Sequence, residues 1–290
     1  VEQRSADRLR RHVDVLAGEI GERNVGHPDA LLAAAGYIRD TLVAEGYAVT
    51  GQSFSSRGMD VENLEVELPG SRLPDEIILV GAHYDSVTGS PGANDNGSGV
   101  AAVLEIARLL AGEDLPRTVR LVAFVNEEPP FFYSEEMGSR VYANRSRERG
   151  ERIRAMLALE TIGYYSYVPG SQRYPFPFRF FYPDTGNFIG FVGNLGSRGL
   201  VRQAVAAFRA STAFPSEAVA APGWVVGVHW SDHWSFWKAG YPAIMVTDTA
   251  LFRYPHYHSS GDTPEKIDYA GLARVTHGLV AVIRDLAGGE

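Results

Sequence analysis

The chain has 290 residues, of which 45% are hydrophobic, and this content suits one large α/β domain with a substantial core. Its formal net charge of −8 and its lack of a basic run argue against a nucleic-acid partner. No apolar stretch approaches the ~20 residues that a membrane-spanning helix requires. Cysteine is absent, so any metal site must use histidine, aspartate and glutamate ligands.

Hydrophobic spacing predicts strands and helices that alternate along the chain. Two amphipathic helices come first, at 5–20 and 28–45, and two strands follow as a hairpin or meander, at 47–54 and 61–68. Short apolar runs then have the composition of buried strands, at 76–82, 118–125, 153–160 and 241–246. Helical spacing is found at 97–111, 135–149, 197–213 and 269–286.

This order predicts a single α/β domain over residues 1–290, built as a three-layer sandwich. We expect a twisted, mostly parallel sheet with helices on both faces, and a mixed sheet because of the early strand pair. The chain begins at Val1 without a basic and apolar leader. We therefore expect a secreted or extracytoplasmic protein whose leader has been removed. No feature of the sequence indicates an oligomeric state.

Two adjacent glutamates, Glu127 and Glu128, come just after one of the buried strands. Two carboxylates in a confined place repel each other, unless a cation takes one as a ligand and leaves the other free as a base. The alternative is a solvated loop with two acidic residues, which is the common location of charged side chains. The groups at the other strand ends decide between these interpretations.

Further candidate ligands lie at or after predicted strands. His83 and Asp85 follow one buried strand, Glu160 ends another, Asp95 lies in a glycine-rich loop, and His258 lies in a later loop. Each also has a plain alternative as a structural histidine, a turn-forming aspartate or a surface glutamate. Because the carboxyl ends of parallel strands share one sheet edge, these groups can converge there.

Six segments make the chain resemble the co-catalytic di-zinc exopeptidases of clan MH. That group includes bacterial and fungal aminopeptidases, the glutamate carboxypeptidases and the animal-type glutaminyl cyclases. The segments occur in the family's order over most of residues 75–270: GAHYDS (81–86), PGANDNGSG (91–99), NEE (126–128), LETIGY (159–164), SDHWSFWKAGYPA (231–243) and YHSSGDT (257–263).

The resemblance implies two zinc ions per chain. His83 and Glu160 would bind one zinc, Glu128 and His258 would bind the other, and Asp95 would bridge both. Many relatives have aspartate in place of Glu160. Glutamate is one methylene longer and can still bind zinc at ~2.0–2.2 Å.

The resemblance also implies roles for the residues around the metals. Glu127 would be the general base, and Tyr257 would donate a hydrogen bond to the oxyanion. Asp85 would orient the imidazole of the first histidine ligand. Asp232 and His233 would line the active-site cleft.

The second histidine ligand has a competitor in the sequence. His256 precedes His258 by two residues, and residues two apart on an extended segment share a face. The family pattern Y-H-x-x-x-D-T aligns on His258, which is therefore the predicted ligand.

The resulting prediction is a zinc-dependent aminopeptidase that acts on peptides with a free N-terminus by water attack, with Glu127 as general base. A glutaminyl cyclase on the same fold, with one zinc and no water attack, is the alternative. A carboxypeptidase for acidic C-terminal residues would need a basic pocket, and lysine is scarce in the loops. A non-catalytic relative is disfavoured, because every expected ligand position carries a metal-binding side chain.

Residues 164–191 are dense in aromatic side chains and prolines. They are interpreted either as the wall of a side-chain pocket or as ordinary core. As a pocket wall, they would favour large apolar or aromatic N-terminal residues in the substrate.

Overall fold

One mixed sheet forms the centre of the computed structural model, which describes residues 2–288. Its strands are β1 (Thr50–Ser56), β2 (Met59–Leu68), β3 (Leu73–His83), β4 (Arg117–Phe124), β5 (Arg152–Glu160), β6 (Ile189–Gly193), β7 (Ser216–Ala220) and β8 (Ala243–Thr247). Their spatial order is β1-β2-β4-β3-β5-β8-β6-β7. The central strands β4, β3, β5 and β8 are parallel to one another, whereas β1–β2, β2–β4 and β6–β8 are antiparallel pairs.

Helices cover both faces of this sheet. They are α1 (Glu2–Val13), α2 (Pro28–Ala44), α3 (Gly99–Leu110), α4 (Gly138–Glu148), α5 (Arg198–Ser211), α6 (His233–Ala239) and α7 (Tyr269–Gly288). Helices α1, α2, α3, α5 and α7 share the larger hydrophobic core on one face, and α4 and α6 pack on the other. The predicted three-layer α/β fold with a mixed, mostly parallel sheet is confirmed.

Strand β3 explains why the central strands contain continuous apolar runs. Ile78 and Val80 pack into the larger core, and Ile77 and Leu79 pack into the smaller core on the opposite face. Successive side chains of a strand point to opposite faces, so a strand covered on both faces requires apolar residues at every position.

The parallel arrangement brings chemically important residues to one edge. His83 ends β3 beside Phe124 of β4, and Glu160 ends β5 beside Thr247 of β8. The loop after β4 leads directly to Glu127. The candidate ligands therefore meet at the carboxyl edge of the sheet, where α/β proteins commonly bind ligands.

Three elements were not predicted from the sequence: strands β6 and β7 and helix α6. The two strands have only five residues each, and β6 contains two glycines, so neither gives a long apolar pattern. The predicted first helix is also divided, because a wider π-helical turn at Asp14–Ile20 follows α1. No helix within residues 2–288 combines the length and apolarity needed to cross a bilayer.

Candidate metal centre

Two histidines face the two oxygens of a single carboxylate, Asp95. His83 Nε2 lies 3.4 Å from Asp95 Oδ1 and 3.2 Å from Glu160 Oε2. His258 Nε2 lies 3.1 Å from Asp95 Oδ2 and 3.4 Å from Glu128 Oε2. The structure thus groups the five side chains into two sets that share Asp95, in the combination that the resemblance implies.

The spacing and the chemistry of these atoms fit zinc. Two ligand atoms on a tetrahedral zinc lie about 3.3 Å apart, since each bond is about 2.0 Å long. Three buried atoms of the cluster have no hydrogen-bond partner within residues 2–288, namely His83 Nε2, Asp95 Oδ2 and Glu128 Oε1. Buried polar atoms without partners are costly, and cations bound by the two sets would satisfy all three.

His83 is held in the tautomer that a metal requires. Its Nδ1 lies 3.1 Å from the carbonyl oxygen of Asp85, an acceptor, so Nδ1 carries the proton and donates it. Nε2 is then the ring nitrogen that faces the carboxylates, and a cation bound there would replace its proton. Burial alone would lower the pKa of His83, but the carboxylates of Glu127 and Glu160 raise it well above its ordinary value.

Asp85 acts on the glutamate pair as well as on His83. Its carboxylate accepts hydrogen bonds from the backbone N–H groups of Glu127 and Glu128, both at 3.1 Å. Its nearer carboxylate oxygen lies 3.6 Å from His83 Nδ1, farther than its own carbonyl oxygen. The carbonyl of Asp85 is thus the nearer partner of His83 Nδ1, and its carboxylate lies within ion-pair distance of the same atom while it holds the backbone after β4.

The side chains of the adjacent glutamates Glu127 and Glu128 have different partners. Asn126, just before them, has a left-handed conformation with φ of 59°. Glu128 Oε2 reaches His258, whereas Glu127 Oε2 lies 3.8 Å from His83 Nε2 and is the most distant of the three carboxylates around that atom. Burial and repulsion from Glu160 raise the pKa of Glu127 well above its ordinary value, although His83 opposes this effect.

Asp262, which was not assigned a role from the sequence, holds the loop that carries Asp95. Its carboxylate accepts hydrogen bonds from the backbone N–H groups of Asn94 at 2.8 Å and Asp95 at 3.0 Å. The Tyr254 hydroxyl donates a third bond to it at 2.7 Å. Burial raises the pKa of Asp262 to about 6, and its hydrogen bonds favour the ionised form that accepts them.

Arg23, which was also not assigned a role from the sequence, supports the loop that carries Asp95. It is fully buried, and its guanidinium donates hydrogen bonds to five carbonyl groups: Leu16, Gly21, Tyr84, Pro91 and Gly92. Asp262, Asp85 and Asp95 surround it with negative charge, while burial lowers its pKa to about 10. It remains charged at neutral pH and offsets part of the repulsion among the buried carboxylates.

Of the two candidate histidines, His258 lies beside the clustered carboxylates. The ring of His256 packs against Tyr254, with centroids 5.6 Å apart, and is not placed among the clustered carboxylates. His258 adopts a left-handed backbone conformation with φ of 53°, which departs from the extended segment assumed from the sequence. Tyr257 stacks on the His258 ring at 3.9 Å and lines the same cleft.

Tyr257 keeps its proton in this setting. Burial and the charges of Asp95 and Glu160 raise the pKa of Tyr257 above its ordinary value. The phenol is therefore a hydrogen-bond donor at neutral pH.

Asp232 and His233, which were predicted to line the cleft, are buried, and neither is among the residues that line it. Their exposed fractions are 1% and 0%. They lie at the start of the short helix α6, where His233 Nε2 is 2.8 Å from the carbonyl of Val228 and its ring packs edge-on against Trp237. Burial, with repulsion from Glu160, raises the pKa of Asp232 to about 7, although His83 opposes this.

Two adjoining cavities open at the cluster. The first is a cleft lined by the metal-site carboxylates, His258 and three aromatic residues, Phe132, Tyr133 and Trp230. The second has an empty volume of about 850 Å³ including its open mouth, and it shares Glu160, Trp230 and Tyr257 with the first. Its lining is otherwise largely apolar.

The aromatic segment 164–191 contributes to the second cavity. Tyr174, Phe178, Tyr182 and Phe188 line it, in agreement with the pocket-wall interpretation. The segment is not ordinary core, because three of its phenylalanines are largely exposed: Phe176, Phe180 and Phe181.

A buried cluster of histidines and carboxylates at the carboxyl edge of a mostly parallel sheet is a candidate metal site. The family model described as Peptidase family M28 matches residues 63–283. The chain belongs to Peptidase family M28, and it is a metallopeptidase by that membership.

Two curated relatives align with most of the chain. The chain is 40% identical over 289 residues to "Uncharacterized protein YfbL" of Escherichia coli, covering 96% of this chain and 88% of that protein. It is 27% identical over 263 residues to leucine aminopeptidase 1 of Fusarium vanettenii, covering 83% of this chain but 58% of that protein.

Two solved structures share the fold at low sequence identity. A zinc aminopeptidase from Bacillus subtilis superposes with a TM-score of 0.75 at 17% identity, over 98% of this chain and 95% of that one. A glutaminyl cyclase from Fimbriiglobus ruber superposes with a TM-score of 0.71 at 22% identity, over 96% and 94%.

Proposed function

We propose that this chain is a zinc-dependent aminopeptidase that binds two zinc ions. One observation carries the proposal: Asp95 presents one carboxylate oxygen to each histidine, while Glu127, which lines the same cleft, is the most distant of the three carboxylates around His83 Nε2 at 3.8 Å. An acid kept out of the ligand pairs, beside them, is placed to move protons. His83 and Glu160 would hold one zinc, Glu128 and His258 the other.

The residues of the chain have distinct tasks in this mechanism. Zinc, when bound, supplies Lewis acidity and lowers the pKa of a coordinated water toward neutrality. Glu127 accepts the proton of the attacking water and delivers it to the leaving amine. Tyr257 donates a hydrogen bond to the oxyanion that develops on the scissile carbonyl.

The arrangement of cavities supports cleavage next to the N-terminus. The substrate α-amino group is positive and would be stabilised among Glu127 and Glu160, while the first side chain enters the apolar cavity beyond Glu160. Within the described residues, the linings of both cavities contain no lysine or arginine, which disfavours a carboxypeptidase for acidic residues.

We expect the enzyme to require a free N-terminus. A peptide that begins with leucine should lose that residue, whereas the same peptide with an acetylated N-terminus should remain intact. Mass spectrometry of both peptides, and of a third with an amidated C-terminus, measures this. Equal cleavage of the free and acetylated peptides, or a dependence on the free C-terminus, would contradict the proposal.

A further inference from the structure

Four residues that are neighbours in the strand register form a row across the sheet, from the metal site to the edge strand β7. In the strand register, Glu160 of β5 lies beside Thr247 of β8, Thr247 lies beside Gly190 of β6, and Gly190 lies beside Glu217 of β7. Strands are about 4.8 Å apart, so the backbones of Glu160 and Glu217 are about 14 Å apart.

These four residues face the apolar cavity and not the larger core. Their chain neighbours Leu159, Val246 and Ala218 pack into that core on the opposite face. Because successive side chains alternate, the row itself points into the cavity, and all four residues line it. The third residue of the row is Gly190, so no side chain lies between those of Thr247 and Glu217.

The result is an apolar trough with a carboxylate at each end. Its floor continues through Val192, Val219 and Met245, and Tyr174 and Tyr182 form part of its wall. Apart from Glu160 and Glu217, its lining carries no ionisable acid or basic group within the described residues other than tyrosine hydroxyls.

Glu217 has no partner of its own in this position. Among residues 2–288, no lysine, arginine or histidine nitrogen lies within 4.0 Å of its carboxylate. Arg209, the cation that influences it, is directed to Ser216 instead, with bonds to the hydroxyl at 3.0 Å and to the carbonyl at 2.5 Å. Glu217 is partly buried, and this burial raises the pKa of its carboxyl group, although Arg209 opposes the effect.

Building on the proposed aminopeptidase activity, we propose that Glu217 selects substrates whose N-terminal residue is lysine or arginine. The aliphatic stem of such a residue lies along the apolar trough, and its cationic end pairs with Glu217. The α-amino group stays at the metal site beside Glu160. Long basic side chains commonly bury their stems in this way while their charge meets a polar partner.

The dimensions fit this occupant. An extended lysine hydrogen-bonded to a carboxylate at both its α-amino and ε-amino groups spans about 13 Å. That length runs between the two carboxylate oxygens, and it is comparable with the spacing of about 14 Å between the backbones that carry Glu160 and Glu217. A leucine side chain fills the near part of the trough and leaves Glu217 unpaired.

The test compares lysine with norleucine, which has the same stem without the charge. The zinc-loaded protein should hydrolyse the lysyl substrate at least about 10-fold faster than the norleucyl substrate, in kcat/KM, because a charge-assisted hydrogen bond contributes that much or more. In Glu217→Gln the lysyl value should fall about 10-fold to 100-fold, and the norleucyl value should be unchanged.

Glu148→Gln is the matched control, because it removes one negative charge from an exposed position on α4. It should leave the ratio of the two substrates as it is in the native protein. Unchanged norleucyl hydrolysis in Glu217→Gln establishes that this variant is folded. A ratio that does not respond to Glu217→Gln, or a native preference for norleucine, would overturn the inference.

A binding measurement separates this inference from the proposed activity. Calorimetry with free L-lysine and L-norleucine on the zinc-loaded protein should give tighter binding of lysine, with the difference lost in Glu217→Gln. If neither substrate is hydrolysed but this binding pattern is found, the trough assignment stands and the aminopeptidase proposal fails. Equal binding of the two amino acids would reject the trough assignment, whether or not hydrolysis occurs.

Discussion

Glu127→Gln is expected to lower kcat by about 10²-fold to 10⁴-fold, because the variant keeps the shape of the side chain and loses the proton acceptor. Zinc content should be retained, since Glu127 is the most distant of the three carboxylates around His83. Stopped-time assays with an aminoacyl substrate give kcat, and elemental analysis of the same preparation gives zinc per chain.

The neighbouring residue offers a matched control for this experiment. Glu128→Gln makes the same chemical change one position later, in a side chain that lies 3.4 Å from His258. It should lower zinc content as well as activity, because the lost carboxylate is a ligand. Loss of zinc in Glu127→Gln to the same extent as in Glu128→Gln would contradict the division of the pair into base and ligand.

Removal of zinc is expected to abolish activity completely, and returned zinc should restore it. The buried atoms of His83, Asp95 and Glu128 that have no protein partner are satisfied by a cation, so the apoprotein retains a cluster of repelling carboxylates. Dialysis against a chelator, followed by titration with zinc, measures the recovery.

The titration also reports on how many ions are needed. We expect recovery to saturate at two zinc ions per chain, since Asp95 is shared between two separate histidine sets. Saturation at one ion would mean that one set suffices, and activity that survives exhaustive chelation would remove the metal from the mechanism altogether.

The layered fold was accessible from the sequence because the central strands are short apolar runs separated by helical spacing. Strand β3 is the clearest case, with consecutive residues buried on opposite faces. The convergence of His83, Glu128 and Glu160 followed from the rule that parallel strands end at one edge. The pairing of Asp95 with both histidines came from the family resemblance, and the geometry has the same grouping.

The supporting residues could not be predicted in the same way. Arg23 and Asp262 act on backbone groups far away in the chain, such as the carbonyl of Gly92 and the N–H of Asp95. A side chain that bonds to backbone leaves no residue-type pattern in the sequence. The buried position of His233 could not be predicted for a different reason, because helix α6 is too short to show helical periodicity.

The trough could not be predicted from the sequence either. Its row of residues depends on strands β6 and β7, whose five-residue lengths gave no clear signal. Glu217 was one acid among the 35 acidic residues of the chain until the register placed it opposite Gly190. The expectation of apolar N-terminal residues was drawn from the aromatic segment alone and stays a prediction, and the role proposed for Glu217 concerns the far end of the same cavity.

Hydrolysis of the first peptide bond is the central claim, and a peptide with N-terminal glutamine tests it most directly against cyclisation on the same fold. Mass spectrometry after incubation with the zinc-loaded protein should detect a peptide shortened by one residue together with free glutamine. Loss of ammonia, with every peptide bond intact, would contradict the account and identify a cyclase.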